Sequence, residues 1–404
     1  TALETICVFA LGIGIFISKP IIYASVASII LLTLFRAFKS YDYRTKLLQS
    51  RTARIASIIF VVGVLGTAIG TNFPEDVGWI ARKSSYLLLI APLLFAFESK
   101  INRNVAFSAL LLGFWVTAIL TASKHNWTWS GERLDGHAWT LDNWAVICAL
   151  FSCFLLTELL KPHRSTRWQI FISISFFSAL FFLVTTGARG PLLAALIGII
   201  LILSTRHKLI LGVAIATIIA SYMPLKQLLP DQIGMIEQRA ISLTRSMEDP
   251  SQYTRLALWE AGAYFGLKQA TDLDFRIWVG NGERGATERA TDFYQKDFRQ
   301  MARIKPGYLS DRPINDFHSM YIDAAVKVGI LWMIANIALI ISLTLVTRSD
   351  FTEKKLKRKW STEGLALVTV FFTIGLTYSL LPHFATLILI YLLTLSKSMN
   401  KADP

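Results

Sequence analysis

Cysteine is scarce in this chain: three in 404 residues, Cys7, Cys148 and Cys153, each inside an apolar run. None lies in the polar part of the sequence, which excludes a disulfide framework or a cysteine-based zinc site there. Carboxylates are also in short supply, 27 against 41 Lys and Arg, and no dominant cluster gathers them into a metal-binding set. Asp272-Leu273-Asp274 has the spacing of a metal-binding DxD pair, but two acids at a turn are equally ordinary turn chemistry. Val279-Gly280-Asn281-Gly282-Glu283-Arg284-Gly285 lacks a Gly-Lys-Ser/Thr ending, so it reads as a flexible turn rather than a phosphate loop. The first apolar run has neither a basic leader nor a small-residue cleavage site, so it is expected to be a membrane span.

Apolar residues are abundant, 53% of the chain. They recur in runs near the length a helix needs to cross roughly 30 Å of hydrocarbon. Twelve spans are expected, at 3–18, 20–38, 54–70, 79–97, 104–122, 138–160, 168–185, 190–204, 208–224, 318–346, 362–378 and 380–397. The fold class is therefore an all-α polytopic membrane protein. It divides into nine helices over 1–224, one large polar loop over 225–317, and three helices with a tail over 318–404. The polar loop leaves the membrane after Met223-Pro224 and carries thirteen Lys/Arg and thirteen Asp/Glu. A single large soluble loop among short ones is where recognition or chemistry is expected.

Orientation follows from basic residues in the short loops. Loops 36–54, 98–103, 161–167, 205–208 and 347–361, with the tail, hold 21 of the 41 Lys/Arg. The opposite short loops hold only Lys19, Arg82, Lys83, Lys124, Arg133 and Arg189. Both termini should be cytoplasmic and the 225–317 loop outside. The net charge of +14 is then a topology signal whose partner is anionic membrane lipid, and no nucleic-acid partner is implied.

Four features mark the outer face. Tryptophans between Lys124 and Trp144 suit stacking on sugars, or an ordinary interfacial belt. The turn Thr185-Thr186-Gly187-Ala188-Arg189-Gly190-Pro191 places an arginine between two glycines that let the backbone bend. Pro191 suits the first helical position, and a helix N-terminus beside an arginine binds anions; the alternative is an arginine that snorkels to headgroups. Ser251 to Phe265 reads as an amphipathic helix with Ser251 as N-cap. Leu256, Trp259 and Ala263 form its apolar face, Leu258 packs nearby, and Arg255 is free to stack on Trp259 or to be a solvated residue. His318 stands where the loop re-enters the membrane; imidazole accepts protons near neutral pH, and a histidine capping the returning helix is the plainer alternative.

Thr-Gly-Ala-Arg-Gly at 186–190, Ser251 with Arg255 and Trp259, Gly280 with Gly282, and His318 with Tyr321 and Gly329-Ile330-Leu331 occur in that order. The set resembles the core of the bacterial O-antigen ligase and polymerase superfamily. Ser319 departs from the Asn often found there, which leaves the orienting partner of His318 open. The resemblance implies a GT-C-like fold in the inner membrane, with the large, mainly helical loop and the active site periplasmic. It also implies transfer of glycan from an undecaprenyl-pyrophosphate carrier. His318 would be the general base, Arg189 and Arg255 the pyrophosphate clamps, and Tyr253, Trp259, Gly187 and Gly190 further substrate contacts. No metal and no cofactor are implied, and a single displacement would invert the anomeric centre. Lipid A–core is the expected acceptor, since the chain is compact and ends at Pro404 without the extra soluble region frequent in protein-glycosylating relatives. Polymerase, protein O-oligosaccharyltransferase and lipid-linked-glycan transporter are the alternatives, the last disfavoured by the lack of an internal repeat.

Overall fold

The computed structural model describes residues 2–129, 132–161, 165–244, 250–298, 314–349, 356–381 and 384–402. The first half of the chain forms α1 (Ala2–Ile17), α2 (Lys19–Lys39), α3 (Tyr41–Gln49), α4 (Arg51–Gly70), α5 (Pro74–Ser84) and α6 (Tyr86–Ala96). It continues through α7 (Lys100–Lys124), α8 (Leu141–Leu159), α9 (Thr166–Thr186), α10 (Arg189–Arg206) and α11 (Lys208–Leu228). The polar segment contributes α12 (Pro230–Thr244), α13 (Pro250–Thr271), α14 (Arg276–Val279) and α15 (Glu283–Phe293), which runs into a π-helical turn, Tyr294–Phe298. The chain returns in α16 (Met320–Val328) and α17 (Ile330–Leu343). An antiparallel ribbon follows, β1 (Leu345–Ser349) against β2 (Leu356–Trp360), and then α18 (Thr362–Gly375) and α19 (Phe384–Ala402).

Among the described residues, seven helical stretches are long and apolar enough to cross a membrane: α2, α4, α5 with α6, α7, α8, α9 and α11. Five shorter apolar helices, α1, α10, α17, α18 and α19, coincide with the remaining expected spans. The protein is an all-α polytopic membrane protein whose one β element is, among the described residues, the ribbon.

Several local expectations are corrected. The tenth span is not one helix: it breaks at Gly329 between α16 and α17. The fourth begins at Pro74 and breaks at Ser85. α11 runs through Pro224 to Leu228, beyond the expected end of the ninth span at 224. α10 starts at Arg189, which makes Pro191 its third residue, still in the first turn where the missing N–H costs no helical bond. α13 starts at Pro250, ahead of Ser251. The basic loop at 347–361 is partly strand.

The centre of the bundle is α8, buried from Trp144 through Glu158, as expected of a helix that is apolar on all sides. Phe151 meets Phe16 and Phe114 at centroid distances of 4.9 and 5.2 Å; such pairs add about 0.5–1.5 kcal/mol each beyond their buried area. One end of the bundle is joined by Arg36–Glu4 at 2.8 Å and Lys46–Glu98 at 2.5 Å. At the other end Trp139 Nε1 donates to the Phe16 carbonyl at 2.8 Å, and Arg284 N–H to Asp76 Oδ1 at 2.9 Å.

The polar segment caps this second end and has its own apolar cluster, with Leu258, Ala261, Phe265, Phe293 and Phe317. Two expectations fail here. The buried face of α13 is Ala257, Leu258, Ala261 and Phe265, while Ala263 is exposed, because Phe317 and Phe293 offer the larger apolar surface. The Gly280-Asn281-Gly282 turn is not flexible. Asn281 and Gly282 donate backbone N–H bonds to the carbonyls of Val326 and Lys327 at 3.0 and 2.9 Å. Gly280, at φ +85°, approaches the Lys327 carbonyl so closely that a Cβ would overlap it. Lys327 is itself buried, with Nζ 3.0 Å from Asp323 Oδ1 and 2.9 Å from the Asn315 carbonyl. Removing one partner of such a pair strands a charge at a cost of about 3–5 kcal/mol, so the chain entering α16 is firmly held.

Candidate active site

His318 lies in the extended segment 314–319 between the polar segment and α16. Its φ is +48°, a left-handed conformation that a non-glycine residue adopts only when its surroundings enforce it. Both of its backbone polar groups are taken. The N–H donates to Asp316 Oδ1 at 2.6 Å, an Asx turn, and the carbonyl accepts from Trp259 Nε1 on α13 at 3.1 Å. The same Asp316 oxygen accepts a hydrogen bond from the Ser379 hydroxyl. Burial works to raise the Asp316 carboxyl, but the Ser379 bond, the nearby His318 and Lys327 charges and the His318 N–H together hold it below its usual range. Ser319 occupies the N-cap position of α16 without a side-chain capping bond. The backbone of His318 is thus oriented by Asp316 and Trp259.

Arg255, one turn before Trp259 on α13, does not stack on that indole. Its guanidinium carbon lies 5.4 Å from the centroid of the Tyr378 ring, while the Trp259 N–H donates to the His318 carbonyl. Tyr378 belongs to the connection after α18, and its hydroxyl donates to Asp142 Oδ1 at 3.1 Å. Burial first, and Asp142 second, push its phenol up to about 12 against the pull of Arg255 and Arg133. At neutral pH it is an uncharged platform for the guanidinium.

Arg189 opens α10. The preceding helix stops at Gly187 in the left-handed conformation, φ +60°, the common C-terminal stop. Arg133 reaches over this turn, with Nε 2.9 Å from the Thr186 carbonyl and its aliphatic stem against Gly187. Gly190 packs on Thr377 and Tyr378 so tightly that a Cβ would overlap the threonine hydroxyl. Both glycines therefore have packing work in the structure. The side chain of Tyr253 lies outside the described residues.

The connection following α18 is the hub. Thr377 and Tyr378 touch the Arg189 turn, Tyr378 supports Arg255, and Ser379 binds the carboxylate that holds His318. Three residues separated by up to 129 positions in sequence are gathered around three consecutive ones. Sequence reasoning missed Arg133, Asp142, Tyr378 and Ser379. Only Asp316 carried a readable signal, an acid two residues before His318 in the Asx-turn pattern. Arg255 and the turn that carries Arg189 both meet Tyr378, and guanidinium forks are suited to phosphate oxygens.

Other expected contributors lie elsewhere. Trp139 and Trp144 are core residues, while Trp127 is 70% exposed. Asp274 is engaged by Arg276 at 3.2 Å and Arg289 at 3.7 Å, and Asp272 by Lys268 at 3.9 Å. Among the described residues no group of three or more His, Cys, Asp or Glu is arranged to hold a metal ion.

No curated protein matches the chain. Residues 174–337, a stretch that includes Arg189, Arg255 and His318, match the family described as O-antigen ligase.

Proposed function

We propose that this protein transfers O-antigen polysaccharide from undecaprenyl pyrophosphate to the lipid A–core oligosaccharide, with His318 as general base and Arg189 and Arg255 as the pyrophosphate clamp. The observation that carries the reading is the convergence of the Arg189 turn, Arg255 and the His318 latch on Thr377-Tyr378-Ser379, within a family match that contains all three. The basic short loops support an inner-membrane topology with cytoplasmic termini and a periplasmic 225–317 loop.

In this mechanism the His318 imidazole takes the proton of an acceptor hydroxyl. The freed oxygen pair forms a bond to the anomeric carbon of the carrier-linked sugar. The bond from that carbon to the pyrophosphate oxygen breaks, and its electrons leave with undecaprenyl pyrophosphate. Arg189 and Arg255 meet the charge that develops on the leaving group. Guanidinium groups remain cationic throughout and bind two oxygens at once, which is the work a divalent ion does in metal-dependent transferases. One displacement without a covalent intermediate inverts the anomeric centre.

Choice of acceptor tests the ligase reading. Purified protein given carrier-linked polysaccharide is expected to join it to lipid A–core and not to a second carrier-linked repeat. Elongation on the carrier with lipid A–core left untouched would make the protein a polymerase instead.

A further inference from the structure

A cleft of about 650 Å³ opens between α5 and the start of α15, with Glu75, Trp79, Arg82, Glu283, Thr287 and Asn315 in its lining. Its remaining carboxylate, Asp76, is already consumed by the Thr71 hydroxyl at 2.7 Å and the Arg284 N–H at 2.9 Å. The other groups offer the carboxylates of Glu75 and Glu283, the guanidiniums of Arg82 and Arg284, a hydroxyl, an amide and an indole. Mixed donors and acceptors around an aromatic wall suit hydroxylated sugar rings; a purely anionic ligand would not be met by Glu75 and Glu283.

Position decides which sugar. Asn315 lines the cleft, with its carbonyl held by Lys327, while its neighbour Asp316 is bonded to Ser379 beside Tyr378 and Arg255. Three residues span at most about 11 Å, so the edge of the cleft at Asn315 is within one or two sugar rings of His318. A displacement that inverts the anomeric centre requires the incoming hydroxyl on the face opposite the leaving group. Arg255 lies over Tyr378, and the cleft opens instead beside α5 and α15 at Asn315, which leaves that side for the incoming hydroxyl. We infer that the cleft is the acceptor-saccharide subsite, holding a hydroxylated oligosaccharide so that one hydroxyl reaches His318. This rests on the proposed transfer reaction.

Gly78 supplies the test. It lines the cleft from α5, and a Cβ built on it meets nothing within 4 Å, so a large side chain there fills the cleft without displacing the backbone. Core oligosaccharide freed of lipid A is titrated calorimetrically into the full-length protein, without donor. The wild type and Gly78→Ala are expected to bind alike, and Gly78→Trp about tenfold or more weaker. In turnover, Gly78→Trp should raise the acceptor KM and leave the donor KM unchanged. Thr287→Phe, entering from the opposite wall, should do the same and serves if Gly78→Trp does not fold. Absence of wild-type binding, equal binding by the filled variants, or a rise in donor KM instead would each overturn the assignment. Binding that depends on Gly78 in a protein that transfers no glycan would overturn the transferase reading and leave the cleft assignment standing.

Discussion

His318→Ala is expected to lower turnover by about 10²- to 10⁴-fold, the usual contribution of a well-placed general base, in a protein that stays folded and binds its carrier-linked donor. The geometry makes this substitution informative. The two bonds that latch the residue use its N–H and its carbonyl, and alanine retains both. The left-handed backbone at φ +48° costs alanine more than histidine, so the folded fraction is measured alongside turnover. A histidine that merely capped the returning helix would give the reverse pattern: a lower melting temperature, with normal turnover among the folded molecules. Melting temperature, donor affinity and kcat measured on one preparation separate the two. Near-normal kcat in folded His318→Ala would remove the base assignment.

Arg189→Lys and Arg255→Lys are each expected to remain impaired by about 10²- to 10³-fold in rate, the usual cost of losing one preorganised electrostatic donor. Lysine keeps the charge but not the planar fork. At Arg255 it also loses the flat face that lies over Tyr378, 5.4 Å from its centroid. The loss should appear mainly in kcat, since charge on the leaving oxygen is greatest as the bond breaks. Lysine variants with wild-type kcat would reduce the two arginines to generic cations at a membrane surface. Tyr378→Phe provides an independent check: it keeps the ring under Arg255 and against Gly190 and removes only the hydrogen bond to Asp142, so turnover near that of the wild type is expected.

The architecture was largely legible from hydropathy. Runs of apolar residues at bilayer length fix most of the helices, because length and composition alone govern membrane crossing. What hydropathy does not carry is helix continuity. The break at Gly329 exists because the Gly280 turn, some fifty residues earlier, hydrogen-bonds to the ends of α16; no local pattern announces a partner so distant. Proline misled in the other direction at Pro224, where the helix continues to Leu228, and lipid-facing helices tolerate such residues when the freed groups are satisfied nearby. The site follows the same division. The proposed roles of His318, Arg255 and Arg189 rest on residue type and order along the chain, whereas the side chains packed around them come from distant parts of it. Tyr378 lies 123 positions beyond Arg255, and its ring, not that of the neighbouring Trp259, carries the guanidinium. Helical spacing allowed the Arg255–Trp259 stack, but the ring that meets the guanidinium comes from a distant part of the chain.

A single displacement driven by an imidazole and two guanidinium groups is tested most directly by product stereochemistry under chelation. Purified protein, carrier-linked glycan of known anomeric configuration and lipid A–core are incubated with excess EDTA, and the new glycosidic bond is read by NMR coupling constants. Product formed at the same rate as without EDTA, with the anomeric configuration inverted, is the expected result. Retention of configuration, or activity lost to EDTA and restored by Mg²⁺ or Mn²⁺, would contradict it.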